Sequence, residues 1–506
     1  MPQPDRAFDL KLGVTRQDLD LLARNPKLNG SGETPPQLLH SVYYDTRSHR
    51  LYAGGMSLRV REGEGGYIQT VKLGADGASG IANPLEIEDR LDGAEPDLSR
   101  IHDKHVRREI EAAVKGSVLA PVFETVVTRT THRLRRRGSV VELVLDKGEA
   151  VAKGRKNEIC EAGLGLVKGH PEDLLQAAQS LFAGRGVRFS SLHEAERTYR
   201  LLLKKRPAKK PAPEKARPAD IAKGQTCGEA FAEFFRSARR QITVNKDVVL
   251  KSEDPEGAHQ LRVGLTRLRS AHRALKALVD SRQLRQLEKD AQTIARAVGH
   301  LRDADVVIAE LYAPVAGALP GAPGFKELGE ALQAHRAVMQ KQARQALSGE
   351  AWLRLALSLT LWPAMLEADP CLQGPVERYA DRALQQRWKK AAKLGRQIES
   401  LEGENRHSMR KALKKLRYTV EFLAPLYRKT KVKPFVKQLK SLQDVFGYVN
   451  DVAMAAQLRE LCGSDKPAAL TAAGEVLGYH EAKARECWQE APAAWHRLKA
   501  SGRFWK

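Results

Sequence analysis

The stretch HQLRVGLTRLRSAHRALKAL, His259 to Leu278, returns in altered form as HSMRKALKKLRYTVEFLAPL, His407 to Leu426. The leading histidines stand 148 positions apart, and the same offset carries Arg262 to Arg410, Arg269 to Arg417, Gly299 to Gly447 and Asp303 to Asp451. One spacing that relates several separated positions marks an internal duplication. It also pairs Phe231 with Tyr379 and Arg239 with Arg387, which predicts about four helices per copy over about 225–325 and 373–473. Within both stretches apolar residues recur every three or four positions with arginine and lysine between them, the pattern of amphipathic bundle helices.

Each copy carries a basic face. Arg262, Arg269, Arg273 and Lys276 fall in a narrow sector of an ideal helix, because steps of seven and eleven residues return to nearly the same angle. His259 starts the helix beside that sector, and the second copy answers with His407, Arg410, Lys414 and Arg417, while Leu413, Leu416 and Val420 supply a packing side. Arginine grips neighbouring phosphate oxygens through a fixed fork of donors, and a histidine near a helix start adds a group that charges near neutrality. The two histidines, with Arg262, Arg269, Arg273, Arg410, Lys414 and Arg417, are therefore candidate phosphate ligands. The copies differ in one charge: Glu421 stands at the equivalent of Arg273. Gly299 and Gly447 read as points of close helix approach or sharp joints, and Asp303 and Asp451 as anchors for nearby arginines.

A chain of 506 residues predicts two or three domains, and a net charge of +24 favours a polyanionic partner: polyphosphate, nucleic acid or an anionic membrane. The five cysteines, Cys160, Cys227, Cys371, Cys462 and Cys487, show no metal-finger spacing and read as reduced thiols. No basic segment followed by an apolar run opens the chain, and the most apolar stretch, Trp352 to Leu366, contains Arg354. The expectation is a cytoplasmic protein without membrane insertion. KKRPAKKPAPEKARPAD, Lys204 to Asp220, reads as an exposed tether between a first domain, 1–203, and a second, 221–506.

Ahead of the tether the period changes to two. HSVYYDT (His40–Thr46), MSLRVRE (Met56–Glu62), GYIQTVKL (Gly66–Leu73) and VVELVLDKGE (Val140–Glu149) predict a meandering antiparallel sheet. A barrel satisfies this pattern and removes exposed edges; an open sheet is the rival. The fold expectation is thus an α+β multidomain chain, an N-terminal antiparallel β-barrel or tunnel followed by a duplicated all-α helical bundle. Strand parity sets Arg59 with Arg61, brings Lys72 onto another strand, and aligns Arg129, Arg133, Arg135 and Arg137. Curved around one cavity, these groups suit triphosphate or a longer phosphate chain. Glu86 with Glu88, and Glu109 with Glu111, share parity as candidate carboxylates for magnesium or manganese, or as exposed faces that neutralise arginines.

The duplicated HxxR signature, with its basic helix and following glycine–aspartate segment, resembles the CHAD family from about Thr226 onward. That resemblance implies duplicated four-helix bundles around a basic cavity and association with inorganic polyphosphate. The elements FDLKL, YYDT, SLRVR, TVKL, EIEDRL, VELVLDKGE and ICEAGLGLVKG resemble a CYTH domain over about Ala7 to Tyr199. This implies a tunnel-like antiparallel barrel and metal-dependent triphosphatase, thiamine-triphosphatase or adenylate cyclase chemistry. The family's opening glutamate-x-glutamate-x-lysine appears as Ala7-Phe8-Asp9-Leu10-Lys11, and of its late alternating glutamates only Glu161 persists, with Gly163 and Gly165 following. Asp9, Glu86, Glu88 and Glu161 are accordingly the candidate metal ligands and catalytic carboxylates for Mg2+ or Mn2+, and Lys11 joins the phosphate ligands. Lost carboxylates weaken metal affinity while the cations remain. The reading is a polyphosphate-binding protein, associated with polyphosphate granules in its adaptor form, whose tunnel retains weak triphosphatase activity or none. The alternative is a general polyanion or nucleic-acid adaptor, ranked lower because no aromatic stacking platform accompanies the basic residues.

Overall fold

The alternating segments form strands, and the 3.6-period segments form helices, in a computed structural model of the chain. It describes all residues except 1–8, 29–31, 64–65, 74–84, 186, 188–197, 200–201, 204–210, 277, 456–457, 459, 461–465 and 506; for Asp9, Glu33, Leu85, Met454 and Ala455 it describes the backbone alone. Two compact units result, dividing near residue 210. Ala7, Cys462 and the first half of the expected tether lie outside the described residues.

The first unit is one eight-stranded antiparallel sheet: β1 (Asp9–Gly13), β2 (Gly32–Thr46), β3 (Ser57–Gly63), β4 (Gly66–Leu73), β5 (Leu85–Leu91), β6 (Leu119–Arg136), β7 (Ser139–Ala152) and β8 (Arg155–Lys168). Their order is β1-β8-β7-β6-β2-β3-β4-β5. Among the described residues the end strands β1 and β5 do not pair, so the sheet is not the closed barrel expected from its period. It nevertheless rolls: the Lys11 ammonium on β1 acts electrostatically on Lys72 and Glu86, which lie on β4 and β5 at the far end of the order.

Alternation decides which face packs. Leu58, Val60 and Val71 are buried against Leu51 of helix α2 (Arg50–Ala53) and against Val106, Ile110 and Val114 of helix α3 (Lys104–Val114). Each such side chain withdrawn from water contributes about 1.5–3 kcal/mol. Arg59, Arg61 and Lys72, of opposite parity, face the other way. Helices α1 (Arg16–Ala23) and α4 (Pro171–Phe182) pack beside β7 and β8.

Helix α3 corrects one expectation. Glu109 and Glu111, paired by strand parity in the sequence, lie on this helix and are exposed. The apolar spacing Val106, Ile110, Val114 is helical, and the Asp103 carboxylate caps the start by accepting from the His105 and Val106 amides. Two glutamates two apart on a helix diverge by about 200° and cannot share a ligand.

The second unit contains the long helices α5 (Cys227–Lys251), α6 (Pro255–Leu275), α7 (Arg282–Val306), a π-helical turn Val307–Tyr312 leading into α8 (Ala313–Ala318), α9 (Phe325–Ser348), α10 (Glu350–Ala368), α11 (Val376–Gly395), α12 (Gly403–Leu423), α13 (Lys429–Ala455), α14 (Pro467–Gln489) and α15 (Ala491–Ala500). Helices α6 and α12 both have 21 residues, and they begin at Pro255 and Gly403, one sequence offset apart. Equivalent residues also meet across the unit. Phe231 and Tyr379 contact edge to face at 5.4 Å, and residues 225–227 bond to 374–376 through the Cys227 amide to Gly374 and the Val376 amide to Gln225. The backbone contacts form an antiparallel bridge between Thr226 and Pro375.

The described half of the expected tether, residues 211–220, has neither helix nor ladder but is strapped to the second unit. The Glu214 carboxylate accepts from Arg240 at 2.8 Å, the Glu214 amide donates to Asn245, and the Arg217 carbonyl accepts from Ser237 and Arg267. Ala219 and Ile221 are buried. The prolines exclude regular structure, yet the polar backbone they leave open is satisfied by side chains of α5 and α6.

Candidate functional site

Strand register collects the first unit's chemistry on one face. Directly opposed residues of antiparallel strands point to the same side. The pairing Arg133–Glu142–Gly165–Asp9 runs across β6, β7, β8 and β1; two residues along, Thr131–Val144–Gly163–Lys11; two further, Arg129–Asp146–Glu161–Gly13. On the other half, Tyr43–Arg59–Thr70–Glu88 and Ser57–Lys72–Glu86 align. The sequence-named cations and carboxylates therefore share one surface.

Their pairing is close. Lys72 Nζ lies 2.8 Å from Glu86, whose other oxygen is 3.4 Å from Arg59, while Glu88 accepts from the Thr70 hydroxyl at 3.4 Å and lies 3.9 Å from both Arg59 and Arg61. Burial, Lys11 and Arg59 push the Lys72 ammonium down to about 8 despite Glu86. Burial resists ionisation of Glu86, but Lys72, Arg59 and Lys11 outweigh it and hold the carboxyl at about 2. Burial and the neighbouring Arg59 lower Arg61. Arg129 binds Asp146 through two bonds of 2.7 Å, and Arg133 reaches the buried Glu142 at 3.2 Å. Asp146 and Glu142 were not singled out in the sequence, although their two-residue parity within VELVLDKGE matches that of the other strands.

Glu86 and Glu88 neighbour lysine and arginine, Glu161 lies in register with Asp146 on another part of the sheet, and the Asp9 side chain lies outside the described residues. Among the described residues no set of three or more histidine, cysteine, aspartate or glutamate side chains is arranged to hold a metal ion. The positions after Glu161 that would add carboxylates are Gly163 and Gly165.

In the second unit α6 and α12 bring their basic faces together. Arg262 donates to Asp303 at 2.5 Å and to the Gly299 carbonyl at 3.1 Å, and Arg410 lies 3.9 Å from Asp451. The aspartates thus hold arginines at both equivalent positions. Arg262 packs over Gly299, but a Cβ there would meet it only at ordinary contact distance, and nothing crowds Gly447. Burial, then Arg410 and Arg262, push Lys414 down to about 8. Among the described residues Lys414 has no carboxylate within ion-pair distance.

The remaining candidates divide between the copies. Arg269 and Arg273 both reach Glu288, at 3.1 and 3.4 Å, whereas Arg417 is held at 2.7 Å by Glu421, the residue at Arg273's equivalent. Burial, assisted by Arg302 for His259 and by Lys411 and Arg410 for His407, keeps both histidines below their ordinary range. Both therefore charge less readily than an ordinary histidine. Sequence reasoning missed Arg302, which pairs with Glu310 of the π-helical turn at 2.9 Å beside His259.

A sheet with one cation-lined face joined to a helical unit with paired basic helices defines a two-domain protein of a recognisable kind. Residues 10–199 match the CYTH domain and residues 233–460 the CHAD domain, so the chain carries the two in that order. An inorganic triphosphatase of Haemophilus influenzae is 27% identical over 164 residues, 32% of this chain and 46% of the relative. The chain thus spans just under half the length of that curated relative. The CHAD domain of Ricinus communis superposes with a TM-score of 0.51 at 27% identity, covering 56% of this chain and 96% of that domain. A Hippeastrum protein described with a dominant triphosphatase activity gives a TM-score of 0.29 at 18% identity, over 38% of this chain and 95% of its own. Among the described residues no helix is long and apolar enough to cross a membrane.

Proposed function

We propose that the chain binds inorganic polyphosphate on its helical unit and receives triphosphate, or the end of a longer chain, on the cation-lined face of its sheet. The observation that carries this reading is the cluster of Arg262, Arg410 and Lys414. Like charges gathered from two basic helices, with Lys414 lacking a carboxylate within ion-pair distance among the described residues, are stabilised by an anion that touches all three. Sequence offset, matched helix lengths and the Phe231–Tyr379 contact support two related copies around this cluster.

In the sheet, Lys11, Arg59, Arg61, Lys72 and Arg129 bind and orient phosphoryl oxygens, and Glu86 and Glu88 keep the cations in place until an anion arrives. Phosphoryl cleavage here requires Mg2+ or Mn2+ to neutralise developing charge, and the described carboxylates do not assemble to hold either ion. Binding with weak or lost turnover is therefore the proposed activity, in the cytoplasm and at polyphosphate granules. Nucleic acid is the weaker, nonspecific ligand.

The test follows orthophosphate release from inorganic triphosphate across magnesium and manganese titrations, with polyphosphate binding measured on the same preparation. Tight binding without release is the expected result. Metal-dependent release abolished by neutralising Asp9, Glu86, Glu88 and Glu161 establishes a hydrolase instead. Equal competition by RNA and polyphosphate at matched charge and ionic strength overturns the choice of ligand.

A further inference from the structure

The β6–β7 hairpin ends in Arg133, Arg135, Arg136 and Arg137, all exposed. Arg133 reaches Glu142, but among the described residues none of the other three has an ion-pair partner. Arg137 and Gly138 form the two-residue turn, both with positive φ, 47° and 85°. A type I′ turn favours asparagine and glycine at these positions. Arginine in the left-handed region is thus not what the turn itself selects.

Register shows where this tip lies. The row through Arg133 ends on Asp9, the first described residue of β1. Across a register shift in the β7–β8 pairing the next row is Arg135–Val140–Lys168, with no β1 member among the described residues. At about 3.4 Å per residue, Arg135 stands roughly 20 Å along β6 from Arg129, and exposed Lys168 lies about 10 Å across two strands. A triphosphate seated at Arg129 is shorter than that span.

Resting on the triphosphate-binding reading of the sheet, we propose that this arginine tip is an outer subsite that continues the cation-lined face and favours linear phosphate chains longer than triphosphate. A chain whose end lies at Lys72, Arg61 and Arg129 leads its next phosphates past Arg133 to Arg135, Arg137 and Lys168. The ligand is a flexible phosphate polymer rather than RNA, because the tip carries no aromatic side chain on which a base stacks.

The test displaces radiolabelled triphosphate from the full chain with unlabelled triphosphate or with a long polyphosphate in excess over protein. Long chains held only by the helical unit leave the label in place, so the readout belongs to the sheet. In the variant combining Arg135→Gln and Arg137→Asn, displacement by triphosphate should stay within about twofold of the parent, and displacement by long polyphosphate should weaken about fivefold, with a shallower salt dependence. Arg135→Lys with Arg137→Lys should keep most of the long-chain preference. Unchanged long-chain displacement in the Gln/Asn variant, with normal triphosphate binding, overturns the outer subsite alone. Failure of the parent to bind labelled triphosphate removes the sheet reading and this inference with it. Single-stranded RNA that displaces the label as well as polyphosphate, and loses as much in the variant, makes the tip a general anion surface and overturns the proposed specificity.

Discussion

Lys72 in the sheet and Lys414 in the helical unit are both pushed down to about 8, with burial the largest cause in each. Their neighbours differ. Lys72 sits 2.8 Å from Glu86 within an alternating array of cations and carboxylates, whereas Lys414 is crowded by Arg410 and Arg262 and, among the described residues, has no carboxylate within ion-pair distance, although Asp451 and Asp303 act on it from further away. The sheet is largely neutralised from within; in the helical cluster Asp303 and Asp451 hold the arginines, and Lys414 keeps a charge that an added anion can pair. A ligand entering the sheet exchanges partners, while one entering the helical cluster relieves repulsion, so long-chain affinity should depend most on the second unit.

The largest effect expected from this contrast follows Arg262→Ala combined with Arg410→Ala. Loss of two charge-assisted contacts should weaken long-chain polyphosphate binding about 100-fold in calorimetric titration. Arg59→Ala with Arg61→Ala should weaken triphosphate binding about tenfold and leave long-chain binding within a few-fold, because Glu86 and Glu88 already offset part of that charge. Equal losses in both variants would erase the contrast.

The lysines sharpen it. Lys414→Met should lower long-chain affinity about tenfold while raising stability by roughly 1 kcal/mol, since a buried, crowded ammonium is replaced by an apolar group. Lys72→Met should raise stability less than Lys414→Met does, because the relief of a buried ammonium is offset by Glu86's loss of its shortest contact. The pH dependence has a fixed sign. Unfolded lysine keeps its proton to about 10.5 and these two only to about 8, so between those values the unfolded state binds the extra protons and stability rises with pH. Phosphate binding requires the protonated lysine and should fall as pH rises through 8. Titrations at pH 7 and pH 9 should show that fall in the parent, and a flatter profile in the Lys414→Met variant. A profile equally steep in both places the titrating group elsewhere.

The sheet's faces were legible because alternation is a local property: Arg59 and Arg61 fall opposite Leu58 and Val60 whatever their neighbours do. Register is not local. Nothing in VELVLDKGE announces that Asp146 stands between Arg129 and Glu161, since that depends on how β6 and β8 are threaded beside β7. Sheet closure was equally hidden, because it depends on the roll of all eight strands. In RREIEAA a period of two was read where Val106, Ile110 and Val114 impose a helix, and the two glutamates lost their common face. The tether's composition announced the lack of regular structure in 211–220 but not its anchoring, because nothing local tells that Arg240, Asn245 and Arg267 bond its backbone and Glu214. On the helices the long period did place Arg262 and Arg410 on the faces that come together between α6 and α12, while Arg302 required knowing that the π-helical turn brings Glu310 back beside it.

The smallest expected effect separates the two copies of the basic helix. Arg269 and Arg273 share Glu288, contributed by α7, whereas Arg417 is bound by Glu421 one turn along its own helix. A bond between residues four apart on a half-exposed face is worth only about 0.3–0.5 kcal/mol and contributes little to packing. Glu421→Gln should therefore leave the melting temperature nearly unchanged, leave Arg417 bonded to the neutral Gln443 at 3.2 Å and raise long-chain affinity about twofold with a steeper salt dependence. Glu288→Gln should behave differently: three basic side chains, Arg269, His272 and Arg273, lose their common acid, and stability should fall along with any gain in binding. If both substitutions instead lowered stability equally, Glu421 would be an interhelical anchor like Glu288, and the electrostatic difference between the copies would reside in some other residue than the one exchanged for Arg273.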